Sequence, residues 1–179
     1  MTERKQEKKK FNWPLFLFSA CITLGMVGVF SYGMLNHQAD FTVEKYKVDK
    51  ETFNQNVQNM LDQYTVRREG DKPVVHPPPD SDVYIPARNF DWGGFIVELE
   101  RDQPYRLHLL SYDIKHGLII RDLMILKKVR PDKAVILHYT PKLAGEFEMI
   151  CGEYCGPGHG AMVGKLIIVD TPTKEPGAK

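Results

Sequence analysis

The chain has 179 residues, of which 42% are hydrophobic and 26% are charged, so it has room for one globular domain with an accessory segment. It is too short for a large self-contained enzyme. The 24 basic and 23 acidic residues leave a net charge of +1, which excludes a nucleic-acid-binding protein with one dominant basic face.

The N-terminal segment has the pattern of a membrane anchor. Residues 1–10 hold five basic and two acidic side chains, whereas residues 11–36 hold no charged side chain. Residues 14–35 would form a transmembrane helix of about 33 Å, long enough to cross a bilayer. The basic segment 1–13 predicts a cytoplasmic N-terminus. We therefore expect a single-pass protein of a bacterial-type plasma membrane, with its C-terminal domain on the periplasmic or extracellular side.

A cleaved signal peptide is the alternative interpretation of the N-terminal segment, because it also has a basic start and an apolar run. The run is too long for a typical signal peptide. Cleavage of a lipoprotein type before Cys21 is disfavoured because the apolar stretch continues beyond it through ITLGMVGVF. Cys21 is then a small apolar residue of the span, and Cys151 and Cys155 are too few for a disulfide scaffold.

Residues 36–81 are expected to form a linker that contains one short amphipathic helix, over residues 49–64. Asp49 is placed to cap the helix, and five apolar residues share one stripe: Phe53, Val57, Met60, Leu61 and Tyr64. We expect this stripe to pack on the following domain, with a partner-binding helix as the alternative. The prolines at 77–79 force an extended connection, so the domain boundary is placed at residue 82.

From residue 82 the chain consists of short apolar runs separated by Gly, Pro and Asp about every ten residues, which predicts an all-β sandwich. His108 and His138 alternate with apolar residues and are expected at solvent-facing positions. The tail, 171–179, is expected to be disordered. The predicted strands are 83–87, 95–100, 105–111, 118–122, 124–129, 134–139, 146–150 and 162–169.

The residues with distinctive chemistry lie in one loop between the last two predicted strands, CGEYCGPGHGAM. Cys151, Cys155, His159 and Met162 bring two thiols, an imidazole and a thioether into 12 residues. Soft sulfur and imidazole ligands select copper, and a single-copper site uses only one thiolate. The second cysteine would allow both sulfurs to bridge two copper ions, which requires a second imidazole from elsewhere in the chain.

His116 is the best candidate for the second imidazole. It lies in SYDIKHGL at a predicted strand, and Asp113 is near enough to orient it. A local disulfide between Cys151 and Cys155 is the alternative interpretation of the cysteine pair, but it leaves the neighbouring histidine and methionine unexplained.

The pattern Cys-x-Glu-x-Cys-x3-His-x2-Met, with Ser-x-Asp-x-x-His ending at His116, resembles the CuA domain of subunit II of heme-copper oxidases. The resemblance covers residues 14–170 approximately. With its single helix, the chain is similar to the single-helix subunit II of the B-family oxidases. It implies one N-terminal transmembrane helix followed by a cupredoxin-type Greek-key β-sandwich over 82–170. It also implies a binuclear copper centre with six ligand residues: His116, Cys151, Glu153, Cys155, His159 and Met162.

By this resemblance, Cys151 and Cys155 bridge the two coppers, His116 and His159 each bind one, Met162 is a weak ligand and Glu153 contributes its backbone carbonyl. The Glu153 carboxylate is further expected near a Mg²⁺ at the interface with the catalytic subunit. Phe90 and Trp92 are expected where electrons enter, with ordinary packing as the alternative.

The function implied by the resemblance is electron transfer as a subunit of cytochrome c oxidase, an oxidoreductase of the respiratory chain. The copper pair accepts electrons from cytochrome c and passes them to heme in catalytic subunit I, where O₂ is reduced to water. The expected partners are therefore catalytic subunit I, cytochrome c and the membrane, but no nucleic acid. The alternatives are the CuA subunit of a nitric oxide reductase and a membrane-anchored copper carrier.

Overall fold

The computed structural model describes residues 12–36 and 41–171, which belong to two units. The first unit contains one helix, α1, over Trp13–Asn36. Its segment Trp13–Gly33 is long and apolar enough to cross a membrane. The predicted span 14–35 lies within α1. Most of the predicted basic segment 1–13 and all but the first residue of the predicted tail 171–179 lie outside the described residues.

The second unit contains, within residues 41–171, one α-helix and eleven strands, together with two single 3₁₀ turns. The elements in chain order are β1 Phe41–Tyr46, α2 Lys50–Tyr64, β2 Thr65–Glu69, β3 Lys72–Val75, β4 Asp82–Ala87, β5 Ile96–Glu100, β6 Tyr105–Ser111, β7 His116–Ile120, β8 Ile125–Val129, β9 Ala134–Tyr139, β10 Gly145–Cys151 and β11 Val163–Val169.

The strands form two open sheets. The first sheet has the order β1-β9-β6-β4 and the second has the order β2-β3-β5-β11-β10-β7-β8. Most neighbours are antiparallel, but β4 and β6, β3 and β5, and β5 and β11 pair in parallel. The eight strands predicted from the sequence are all present, with ends that shift by at most two residues.

The inner faces of the two sheets share one hydrophobic core. Alternate residues point into it, for example Leu107 and Leu109 on β6 of the first sheet and Leu118 and Ile120 on β7 of the second. Each such side chain contributes about 1.5–3 kcal/mol when fully buried. Because one cluster joins both sheets, the prediction of an all-β sandwich behind one apolar helix is confirmed.

Three strands lie ahead of residue 82, where the sequence analysis placed the domain boundary. β1 pairs along its whole length with β9, and β3 pairs with β5, so both are part of the sandwich sheets. The segment 36–81 therefore differs from the expected linker. The reason is that β1 and β2 are edge strands rich in charged residues, and β3 carries Pro73, so none shows the apolar pattern of a central strand.

Helix α2 is the amphipathic helix predicted from the sequence. Asp49 caps it, since its Oδ1 accepts a hydrogen bond from the Thr52 backbone N–H at 2.8 Å. The Phe53 ring lies edge-on to the Tyr84 ring of β4, with 5.4 Å between centroids. The Met60 sulfur accepts a hydrogen bond from the Tyr84 N–H at 3.3 Å. The expectation that the apolar stripe packs on the sandwich is thus confirmed.

His108 corrects an expectation of the sequence analysis, because its side chain is buried and does not face solvent. It points to the outer face of β6, as the alternation requires, but Tyr46 and Tyr84 cover it. Its Nδ1 lies 2.8 Å from the Tyr46 hydroxyl and its Nε2 lies 2.9 Å from Asp82 Oδ1. The Tyr84 ring lies over the imidazole at 4.6 Å between centroids. Hydrogen bonds on both nitrogens make this burial tolerable.

We expect this buried imidazole to make folding stability depend on pH. Burial lowers the pKa of His108 below its ordinary value of 6.5, and Arg106 and His138 add to this, while Asp82 acts in the opposite direction. Below pH 6.5 the unfolded chain therefore binds more protons than the folded one, so stability falls as the pH falls.

The measurement is urea unfolding of the wild type and of His108→Gln between about pH 7.5 and about pH 5.5. The wild type should lose more stability across this window than His108→Gln. His138→Gln is the matched control, because His138 is half exposed on β9, and its pH dependence should lie closer to that of the wild type than to that of His108→Gln. Equal pH slopes for wild type and His108→Gln would contradict the assignment.

Candidate metal centre

The ligand loop, residues 152–162, connects β10 to β11 at one end of the second sheet. β7 is the other neighbour of β10 and begins at His116, with Cys151 opposite Leu118. The Gly152 N–H donates a hydrogen bond to the Gly117 carbonyl at 2.6 Å, which holds the start of the loop against β7. Sheet register therefore brings His116 to the loop across 35 residues of sequence.

The structure brings all six residues predicted as ligands together. The two cysteine sulfurs are 3.7 Å apart. Cys151 Sγ lies 3.8 Å from His116 Nδ1 and 3.1 Å from the Glu153 carbonyl oxygen. Cys155 Sγ lies 3.6 Å from His159 Nδ1 and 3.9 Å from the sulfur of Met162. Contacts between neighbouring donors thus link both imidazoles, both thiols, the thioether and one carbonyl into one cluster, in which the ligand atoms of His116, Cys151 and Cys155 all lie within 4.8 Å of one another.

Asp113 orients His116. Its Oδ1 lies 2.7 Å from His116 Nε2, and a carboxylate acceptor places the imidazole proton on that nitrogen. The lone pair of Nδ1 is then directed towards Cys151. Burial alone would raise the pKa of Asp113, but hydrogen bonds from His116 and from the backbone N–H groups of Asn89 and Ile114 lower it to about 2. The carboxylate is therefore charged and fixed from several sides.

The centre is unevenly exposed. His116 is fully buried, and Cys151, Cys155 and Met162 are each less than a tenth exposed, whereas His159 is half-buried at the surface. Burial and the neighbouring Cys151 raise the pKa of Cys155 to about 11. Both cysteines are free thiols, so the local disulfide is not formed in this structure. Metal binding at such thiols must release their protons.

The loop is shaped by its contact with Phe90. A side chain at Gly158 would come within 2.3 Å of the Phe90 ring, and Gly156 has a φ of +119° that favours glycine. The half-buried Phe90 ring therefore lies directly on the loop. Trp92 is fully buried, with its ring 6.3 Å from the His116 ring, so it contacts the centre from inside the core and has no surface for a partner.

Two residues beside the centre were not singled out in the sequence. Tyr154 is 77% exposed, and its ring lies 5.8 Å from that of His159. Lys128 Nζ lies 3.9 Å from the Glu153 carboxylate. The position of Tyr154 inside the ligand loop was a usable signal, whereas Lys128 reaches the loop only through the pairing of β8 with β7.

No family model matches the chain. Among curated proteins, it is similar to a cytochrome c oxidase subunit 2 of Thermus thermophilus, with 26% identity over 157 residues that cover 84% of this chain and 87% of the relative. A second cytochrome c oxidase subunit 2 from Thermus thermophilus is 31% identical over 114 residues, covering 60% of this chain and 84% of the relative.

Solved structures with a similar chain trace include a heme-copper terminal oxidase dimer, with a TM-score of 0.49 and 17% identity over 86% of this chain and 96% of the matched chain. Rusticyanin from Thiobacillus ferrooxidans has a TM-score of 0.40 and 17% identity over 74% of this chain and the whole of the matched chain.

Proposed function

Because the chain belongs to the cytochrome c oxidase subunit 2 family, we propose that the loop centre binds a pair of copper ions and admits electrons to the oxidase. The chain is accordingly a subunit of an oxidoreductase complex, and its partner is the heme-copper catalytic subunit. Its sandwich behind one apolar helix agrees with the cupredoxin-type domain that the resemblance implied. The observation that carries the proposal is the convergence of the six residues on one centre.

The donor set fits copper. Two thiols, a thioether and two imidazoles are the soft and borderline ligands that copper prefers. In our proposal Cys151 and Cys155 would be thiolate ligands shared by the two ions, His116 and His159 would bind one ion each, and Met162 would be a weak ligand. The carbonyl of Glu153 completes the set. The sulfurs of Cys151 and Cys155 lie 3.7 Å apart. Both residues pack in the hydrophobic core cluster, which holds the sulfurs at this separation.

When bound, the copper pair supplies a one-electron carrier between cytochrome c and the heme of the catalytic subunit. The residues of this chain contribute a rigid frame. Cys151, Cys155 and Met162 are members of the hydrophobic core cluster, so they exclude water and resist displacement. Asp113 holds the proton of His116 on Nε2. A frame that changes little between oxidation states keeps the barrier to electron transfer low.

Phe90 is proposed as the aromatic contact nearest an incoming electron donor, because its half-buried ring covers the loop at Gly158. Trp92 is buried, so in this proposal it does not contact the donor and lies deeper than Phe90, beside the ring of His116. We further propose that α1 anchors the chain in the membrane with the N-terminus in the cytoplasm. The copper domain then lies on the periplasmic or extracellular side, where cytochrome c is found.

The curated relatives are oxidase subunits, which favours the oxidase over a nitric oxide reductase or a copper carrier. The test of function is rapid mixing of the assembled, copper-loaded oxidase with reduced cytochrome c. We expect cytochrome c oxidation and copper reduction to proceed together, before heme reduction. Heme reduction at an unchanged rate in a complex whose chain carries no copper would contradict the proposal.

Asp113 offers a sharper test of how His116 is positioned. In Asp113→Asn the amide is a weaker acceptor for the Nε2 proton, so we expect copper affinity to fall by about 10–100-fold. The measurement is competitive copper titration of the full chain, with the copper absorption spectrum as a second readout that a general loss of stability would not shift. Asp91→Asn is the control. Unchanged affinity and spectrum in Asp113→Asn would contradict the role.

The Mg²⁺ that the resemblance places at the Glu153 carboxylate fits these residues poorly. Mg²⁺ requires several oxygen ligands in octahedral geometry. The charged group that the structure gives to this carboxylate is instead the ammonium of Lys128. Magnesium is therefore left out of the proposed mechanism.

A further inference from the structure

A cavity of about 430 Å³ lies beside the ligand loop. Its lining includes Gly117 of β7, Gly152 and Glu153 of the loop, and the apolar residues Leu126 and Val135. The remaining lining residues are all basic and come from β1, β8 and the β8–β9 connection: Lys45, Lys127, Lys128, Arg130 and Lys133. We refer to this site as the basic cavity.

Two positive charges of the basic cavity, those of Lys45 and Lys127, are close enough to affect one another. Burial lowers the pKa of Lys127, and the charge of Lys45 lowers it further. Glu153 and Asp132 offset part of the charge, since they lie 3.9 Å from Lys128 and Lys133 respectively. Five basic groups against two carboxylates still leave an excess of positive charge held together by the fold.

This excess has a consequence for the Glu153 carboxylate, which is the only carboxylate among the described lining residues. A divalent cation bound to this carboxylate would be repelled by the five cationic side chains. It would also have to compete with Lys128 for the carboxylate oxygens. An oxyanion would instead be attracted, and lysine and arginine would donate charge-assisted hydrogen bonds to it.

We propose that the basic cavity binds carboxylate groups of the catalytic subunit, and that Lys128 takes the place of Mg²⁺ in neutralising Glu153. The inference rests on membership of a multisubunit oxidase and not on the number of coppers. The basic cavity lies next to the metal centre, because Gly152 and Glu153 line the cavity and the Glu153 carbonyl oxygen lies 3.1 Å from Cys151 Sγ. This position favours a protein partner over lipid headgroups. The catalytic subunit must approach this centre to receive electrons, whereas the lipid need not.

The test compares two charge-reversal variants of the full chain in the assembled oxidase. Lys45→Glu/Lys133→Glu alters the basic cavity, and Lys47→Glu/Lys142→Glu makes the same charge change outside its lining. The readout is the fraction of chain that remains on a tagged catalytic subunit as NaCl is increased. We expect the cavity variant to bind about tenfold more weakly, with release at lower salt, and the control to follow the wild type.

Unchanged retention of the cavity variant would overturn the docking proposal. Unchanged retention together with weaker binding of the full chain to phosphatidylglycerol vesicles would overturn it in favour of the membrane. The copper spectrum is recorded for every variant, so a failure of the proposed copper site is seen separately.

The second part of the proposal is tested with Mn²⁺, a paramagnetic substitute for Mg²⁺. We expect the Mn²⁺ signal of the assembled oxidase to be the same in the wild type and in Glu153→Gln, which keeps the backbone carbonyl. Loss of a bound Mn²⁺ in Glu153→Gln would show that the carboxylate is a metal ligand and would overturn this part.

Discussion

Replacing Cys151 by serine is expected to abolish the paired copper site. Cys151 Sγ contacts three of the other donors, with His116, Glu153 and Cys155 all within 3.8 Å. A hydroxyl is a harder and far less acidic ligand than a thiol, so it cannot replace a bridging thiolate. We expect copper content to fall to one ion or none, and oxidation of cytochrome c by the assembled complex to fall at least about a hundredfold.

Two histidine variants are the controls for this experiment. His108→Ala and His138→Ala remove imidazoles that point away from the centre and should leave the copper spectrum unchanged. Cys155→Ser should behave like Cys151→Ser, because both sulfurs are proposed to bridge. If either serine variant kept an electron shared between two coppers, the bridging assignment would be wrong.

Removing the Phe53 ring is expected to produce the largest loss of stability among the changes outside the metal centre. Phe53 is fully buried on α2 and packs edge-on against Tyr84 and Tyr112, with ring centroids 5.4 Å and 6.1 Å away. Phe→Ala in a core typically costs about 3–5 kcal/mol through lost burial and the cavity left behind. We expect Phe53→Ala to lower the free energy of unfolding by this amount.

The measurement is urea unfolding of the full chain in detergent, followed by near-ultraviolet circular dichroism. Val66→Ala on β2 is the control, since Val66 is 57% exposed and its loss should cost less than about 0.5 kcal/mol. If Phe53→Ala were as stable as the control, α2 would not be an integral part of the sandwich.

Much of the fold was predictable because the residues concerned follow simple periodic patterns. The alternation of Leu107 and Leu109 with polar neighbours predicted β6, and the spacing of Phe53, Val57 and Met60 predicted α2. Both signals arise from burial of one face, which the structure confirms. β1 and β2 were not predicted, since edge strands bury little, and the partner of β1 lies about 90 residues away in sequence.

His108 shows why alternation alone misjudges burial. The pattern correctly assigned it to the outer face of β6, but it could not reveal that Tyr46 and Tyr84 from two other strands cover that face. The basic cavity was likewise invisible in the sequence, because it is formed by residues from strands that are distant in the chain. Lys45 and Lys133 are 88 residues apart, and only the pairing of β1 with β9 brings them into one site.

The candidate centre was more predictable than the fold because five of its residues lie within 12 consecutive positions of the sequence and carry unusual side chains. His116 required a guess about sheet register, which the structure supports by placing its Nδ1 3.8 Å from Cys151. The role of the Glu153 side chain depended on its surroundings. The sequence motif contained no information about Lys128, which comes from the neighbouring strand.

The most direct test of the proposed function is to load the full-length protein with copper in detergent and to measure copper content and the electron paramagnetic resonance spectrum. We predict two coppers per chain and a hyperfine pattern in which one unpaired electron is shared by both nuclei. A single copper with the hyperfine pattern of one nucleus would contradict the account, because the two cysteines would then not bridge a metal pair.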